Sequence, residues 1–202
     1  MPPEALDLGS QAVFLRSLQE SGRVLPSAQE IDHLRSSRGR FGVPARSAPG
    51  IGLAIRNTDR YVDTVTASRA DLRSYLRPYR RAIAHDIPLI MLSNATYTAY
   101  DRRNAAGWSR AIAEGLLRDS LGFDGVSITD SLNGTANARG KTVKTLALRA
   151  ARAGTDIILV TSSERSSKKL YAWLLAKAKG GAIPSSRLRA SYDRIVALKE
   201  GR

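Results

Sequence analysis

The sequence predicts an α/β protein built on a parallel sheet. Short apolar runs of strand length recur near Val43, Leu89, Val126 and Ile157. Each is followed by a stretch whose apolar residues repeat every three or four positions, and turns rich in glycine or proline divide one kind of segment from the other. Strands alternating with helices in this way are joined by crossovers, which lay the strands side by side and parallel. The 202 residues, 43% hydrophobic and 25% charged, suit a single globular domain.

In chain order, Asp7 to Gly22 reads as a helix, with Leu8, Ala12, Leu15 and Leu18 on one face and Gly22 as its carboxyl cap. Ser27 to Glu30 is a capping-box pattern before a short helix through Ile31 and Leu34. Ser36 to Gly42 is basic and reads as a loop. From Val43 to Gly52 the prolines and glycines argue for a short strand running into a loop. Ser68 to Asp71 opens an amphipathic helix with Leu72, Tyr75, Leu76, Tyr79 and Ile83 as its stripe, and Pro78 should kink or tighten it. Ile87 to Ser93 is a buried strand, and Trp108 and Ser109 lead a helix through Ile112, Leu116 and Leu117. Gly122 and Gly125 punctuate the turn before the strand holding Val126 and Ile128. Ser131 to Lys141 reads as a polar loop, Thr142 to Ala153 as a helix stopped by Gly154, and Asp156 to Thr161 as the last strand. Lys168 to Lys179 is helical with Leu170, Trp173, Leu174 and Ala178 inside. The tail, Ser186 to Lys199, is a final helix striped by Leu188, Tyr192, Ile195 and Leu198.

Net charge is +14, from 32 basic and 18 acidic residues. One reading is a surface for nucleic acid or another polyanion. The other is arginine spread over solvated helix faces, as the spacing of Arg73, Arg77, Arg80 and Arg81 suggests. With no interleaving of basic and aromatic residues, the second is preferred and nucleic acid is not expected as a partner. No apolar run is long enough to span a membrane. Met1 to Glu4 lacks the pattern of a signal peptide, which leaves the compartment open. There is no cysteine, no phosphate-binding glycine loop, no dinucleotide fingerprint and no metal-ligand cluster. His33 and His85 stand alone, and His85 suits the end of a helix.

Chemistry gathers around Leu121 to Asn133. Thr129 and Asp130 stand at the carboxyl end of a strand, where α/β enzymes keep their reactive groups. An aspartate there can equally cap the next helix or fill a turn. The wording extends further: Leu116-Leu117-Arg118, then Leu121-Gly122-Phe123-Asp124-Gly125-Val126, then Ile128-Thr129-Asp130. This order resembles the signature of glycoside hydrolase family 3, and within it the β-N-acetylhexosaminidase branch. The family's catalytic nucleophile falls on Asp130.

The resemblance carries further implications. Arg46 and Ser47 fall where the family has a lysine and a histidine that hold sugar hydroxyls, followed by the matching Pro49, Gly50 and Gly52. Arg56-Asn57-Thr58-Asp59 occupies the place of an aspartate-serine-histidine in which the histidine is the general acid/base. Here Asn57 and Asp59 take those positions. Asp59 could do acid/base work as a carboxylic acid, or the segment could be an Asx-type turn; both readings stand. Met91, Tyr97 and Asp101 match a further family segment, with Asn94 replacing its histidine, so Met91 and Asn94 join the expected sugar-binding residues.

The implied fold is a (β/α)8 TIM-type barrel, of which these look like the last four βα units, a partial barrel spanning residues 1–202. Ser21 to Gly42 does not match and reads as an insertion. The implied activity is retaining hydrolysis of β-linked N-acetylglucosamine-type sugars, with no metal or cofactor required. The alternative is a non-catalytic fragment or pseudoenzyme that binds a glycan or protein partner. Four units leave open sheet edges, so Val126, Ile128, Ile158 and Val160 should be partly wet, and self-association or pairing with a missing half-barrel is the expected relief.

Overall fold

The computed structural model describes residues 45–200. The expected helices at Asp7 to Gly22 and through Leu34, the loop to Gly42 with the insertion there, and the start of the first strand at Val43 lie outside the described residues.

β1 (Ala45–Ala48) is followed by a 3₁₀ turn, Ile51–Leu53, and by β2 (Thr64–Val65). Ser68 starts α1 (Arg69–Tyr75): its hydroxyl accepts the Asp71 N–H while the Asp71 carboxylate reaches back to the Ser68 N–H, a complete capping box. The stripe then turns a corner. Pro78 sits in the first turn of a separate helix, α2 (Arg77–Ala84), where a missing N–H costs nothing. Leu72, Leu76 and Tyr79 are buried, Ile83 is half-buried and Tyr75 is exposed. Arg73, Arg77, Arg80 and Arg81 are all exposed, a solvated basic face.

β3 (Leu89–Leu92) is buried throughout, as expected of a parallel strand covered on both faces. β4 (Thr96–Tyr97), a 3₁₀ turn at Ala106–Trp108 and a π-helix at Ala111–Ser120 lead to β5 (Val126–Thr129). The strand order is β1-β3-β5, parallel throughout, with Met91 opposite Ile128 and Leu92 opposite Thr129. β2 and β4 form a separate parallel pair.

Two expectations fail beyond β5. The supposed polar loop from Ser131 to Lys141 is mostly helix, α3 (Leu132–Ala138). Leu132, Thr135 and Ala136 are buried at helical spacing, and Gly134 does not break the turn because it lies against another segment. After α4 (Val143–Ala153), capped by Thr142 and ended by Gly154 at φ 98°, the expected strand from Asp156 to Thr161 does not form as a strand. It touches β5 through one parallel bridge, Ile128 to Ile157. The ladder stops because the Leu159 N–H donates to the Thr129 hydroxyl (3.0 Å), and the Leu159 carbonyl accepts the first N–H of α3, from Leu132 (3.1 Å). Side chain and helix terminus take the groups that a full strand would pair.

α5 (Glu164–Lys179) and α6 (Ser185–Glu200) complete the described chain. Leu170 of α5 is buried while Trp173, Leu174 and Ala178 are half-buried. On α6, Ile195 is buried and Leu198 half-buried, but Leu188 and Tyr192 are exposed. Val126 and Ile128, expected to be partly wet, are 0% exposed, and Ile158 and Val160 are half-buried. The reason is α6: Ile195 and Leu198 pack with Leu89, Met91, Val126, Ile128 and Leu159 in one apolar cluster. A second cluster joins β3 to α1, α2 and the π-helix. A third joins α3, α4 and α5 around Trp108.

Candidate active site

Asp130 follows the last residue of β5. Its N–H donates to the Leu92 carbonyl (3.0 Å), so the strand's register carries on to it. Its carboxylate Oδ1 accepts the Ser131 N–H (2.7 Å), and the residue is half-buried. Beside it, the Ser131 hydroxyl meets that of Thr161 (3.0 Å), and the Thr161 N–H donates to Asn133 Oδ1 (2.8 Å). The segments after β5 and after residues 156–160 therefore close over the same end of the sheet.

Asp59 reaches this end from a loop. Asn57 Oδ1 accepts the Asp59 N–H (2.9 Å), and the Asn57 carbonyl accepts the N–H groups of Arg60 (3.1 Å) and Tyr61 (2.9 Å). This is the Asx-type turn allowed by the sequence, and it holds Asp59 rather than competing with it. Gly134 of α3 packs directly on the turn: a Cβ there would run into the Asp59 carbonyl and lie 3.0 Å from the Asp59 Cβ. Only glycine lets the helix and the loop approach so closely.

Asn94 ties the Asp59 carboxylate to the backbone just after Asp130. It follows β3 and is buried, with its amide nitrogen 2.9 Å from the Ser131 carbonyl and 3.4 Å from Asp59 Oδ1. One NH2 group thus spans from the residue after Asp130 to the side chain of Asp59. Arg139, at the end of α3, donates to the Asn94 carbonyl (2.9 Å) and to the Thr96 hydroxyl (3.2 Å), with its guanidinium 5.2 Å from the Trp108 ring centre. Burial lowers the pKa of Arg139. Arg139 and Gly134 do not stand out in the sequence, where Ser131 to Lys141 reads as a polar loop. The signal was there, in Leu132, Thr135 and Ala136 at spacings of three and four.

Of the other expected residues, Asn57 is exposed and serves the turn. Met91, expected to hold sugar, is 5% exposed and lies among Leu89, Val126, Ile128 and Ile195. Its flexible thioether fills that apolar cluster. Arg46 and Ser47 lie in β1, and their side chains are outside the described part. His85 caps the carboxyl end of α2.

Two further carboxylates fix the surrounding loops. The N–H of Arg56 (2.9 Å), followed by that of Thr64 (2.9 Å), holds the Asp63 carboxyl below its ordinary range. Burial alone would raise the pKa of Asp101. Donors from Arg103 (2.9 Å), Ser109 (2.7 Å) and Asn104 (3.0 Å) outweigh burial and lower it. Among the described residues no group of three or more His, Cys, Asp or Glu side chains could hold a metal ion, and no helix is long and apolar enough to cross a membrane.

Residues 49–198 match the sequence profile of the Glycosyl hydrolase family 3 N terminal domain. An uncharacterized secreted glycosyl hydrolase of Arthroderma benhamiae is 30% identical over 191 residues, covering 92% of this chain and 54% of the relative. A beta-N-acetylglucosaminidase/beta-glucosidase of Cellulomonas fimi is 29% identical over 167 residues, 77% of this chain and 29% of the relative. Among solved structures, a glycoside hydrolase family 3 beta-N-acetylglucosaminidase from a Paenibacillus species superposes with a TM-score of 0.73 at 33% identity, over 78% of this chain and 31% of that one. A beta-N-acetylhexosaminidase from Beutenbergia cavernae gives 0.70 at 29% identity, over 76% and 46%. The chain spans about half the length of the fungal relative, or less of the others.

Proposed function

The chain belongs to glycosyl hydrolase family 3 and has an α/β domain of TIM-barrel type. From that premise we propose that its site cleaves β-linked N-acetylglucosamine-type sugars with retention. The observation that carries this reading is the Asn94 bridge, which holds Asp59 beside the residue following Asp130. In the first step a carboxylate oxygen of Asp130 attacks the anomeric carbon. The bond to the leaving oxygen breaks, and Asp59 gives that oxygen its proton. In the second step Asp59, now a carboxylate, takes a proton from water. The water oxygen attacks the same carbon and releases Asp130. Buried Asn94 and the Asx turn at Asn57 orient the acid, while Arg46 and Ser47 in β1 are the residues proposed to hold sugar hydroxyls.

The described strands and the 156–160 segment are read as the last four βα units of a (β/α)8 barrel within a domain spanning residues 1–202. Such a half would draw on a partner half-barrel or a second copy for full activity.

The test is covalent trapping. A fluorinated N-acetylglucosaminyl fluoride forms a glycosyl-enzyme faster than it loses it. Peptide mass mapping is expected to find the adduct on the peptide containing Asp130 and to lose it in Asp130→Asn. An adduct on another carboxylate would overturn the nucleophile. Sugar binding with neither adduct nor turnover would mean a non-catalytic carbohydrate-binding domain.

A further inference from the structure

Resting on the reading above, we propose that the loop carrying Asp59 also carries the seat for the leaving sugar, with the ring of Tyr61 as its floor. The acid must sit beside the glycosidic oxygen that it protonates. Whatever sugar is bonded to that oxygen therefore lies on the acid's side of the cleavage point. Tyr61 is two residues from Asp59, and its N–H is tied into the same turn by the Asn57 carbonyl (2.9 Å).

The surface of this loop is unusual. Of the seven exposed large hydrophobic residues among those described, Ile55, Tyr61 and Val62 belong to it, at 92%, 52% and 45% exposure. Scattered apolar residues on a surface need no explanation, but three within eight residues, on the one loop that carries Asp59, point to a contact surface. The loop is also braced. The Arg56 N–H donates to Asp63 Oδ2 and the Thr64 N–H to Oδ1 (both 2.9 Å). β2 then pairs with β4, and Gly134 supports the turn from below.

The chemistry fits a pyranose. A β-linked N-acetylglucosamine ring carries its substituents equatorially, so each face presents axial C–H groups that lie well on an aromatic face. The Arg56 guanidinium stands 5.7 Å from the Tyr61 ring centre, which orients the ring and puts five N–H donors at the rim, where the sugar's hydroxyls would point. The ligand class is thus a β-linked oligosaccharide of N-acetylglucosamine type, longer than one sugar. The contact would lend remote binding energy to the cleavage step.

The experiment titrates the full chain carrying Asp130→Asn with N,N′-diacetylchitobiose and separately with N-acetylglucosamine, by calorimetry. Tyr61→Ala should weaken the disaccharide about tenfold, about 1.4 kcal/mol, and the monosaccharide less than about twofold. Tyr61→Phe should keep disaccharide binding, because the ring and not the hydroxyl makes the contact. Disaccharide binding unchanged by Tyr61→Ala, or both sugars weakened equally, overturns the seat and leaves the Asp59 and Asp130 reading in place. A parent that binds neither sugar overturns both, and the trapping experiment then records the failure of the catalytic reading on its own.

Discussion

Asn94 links two segments of the candidate site that lie far apart in sequence. Its NH2 group donates to Asp59 Oδ1 and to the Ser131 carbonyl. On the proposed mechanism, Asn94→Ala should lower kcat by about tenfold to a hundredfold with a smaller change in KM, because it loosens the proposed acid, Asp59, without touching the proposed nucleophile, Asp130. Equal loss in Asn94→Ala and in a variant of an exposed loop residue such as Arg60→Ala would refute that role. Gly134→Ala should be harsher than a surface glycine replacement. The added methyl meets the Asp59 carbonyl and must push the loop away, at a cost of about 1–3 kcal/mol and with loss of turnover. Urea unfolding and steady-state kinetics measure the two effects. The position of Asp130 just past a buried strand was legible in the sequence, and its role rests on the neighbouring words and the trapping test. Asn94, read as a sugar contact, shows its clamp only in three dimensions, because Asp59 and Ser131 stand 35 and 37 residues away in opposite directions.

At the scale of elements, local signals were reliable where a short-range rule fixes the structure. The helix start at Ser68 and the stop at Gly154 appear where the sequence puts them, while Pro78, expected to kink or tighten one helix, stands in the first turn of a second. What failed were the segments governed by contacts distant in sequence. α3 is polar in wording but buries one face, and the 156–160 segment has strand composition but loses its ladder to Thr129 and Leu132. The turn at Asp101 carries a pH prediction. Its carboxylate has a lowered pKa in the folded chain, so its contribution to stability is present above the unfolded value and is lost as pH falls through the folded one. The gap in melting temperature between the parent and Asp101→Asn should be full at neutral pH and shrink below about pH 4. A gap that stays constant down to pH 2.5 would rule out the ionised carboxylate as the cause.

Among the described residues, one polar tie at Asp156 joins three elements. One oxygen of its buried carboxylate binds Arg118 (2.7 Å), the Ser127 N–H (2.8 Å) and the Ser127 hydroxyl (2.9 Å). The other binds Arg194 and Ser191, both at 2.7 Å. These groups come from the π-helix, β5 and α6. Asp156→Asn keeps the shape and removes the charge that two arginines share, so it should destabilise the domain by about 3–5 kcal/mol in urea unfolding. A loss below about 1 kcal/mol would mean that apolar packing of α6 alone holds these elements together.

That tie also orders events on the ribosome. Arg118 is made before Asp156, so the carboxylate emerges with one cation already present. Its second cation, Arg194, arrives only after 38 more residues have been added. Until then the cluster of Leu89, Met91, Val126, Ile128 and Leu159 lacks its cover from Ile195. A nascent chain stalled before Ser185 should be cut readily by protease and held by chaperones that bind apolar surface. Synthesis carried far enough past Glu200 for the last helix to emerge should make it resistant within one step, so this helix acts as the latch that commits the preceding described segments to their fold.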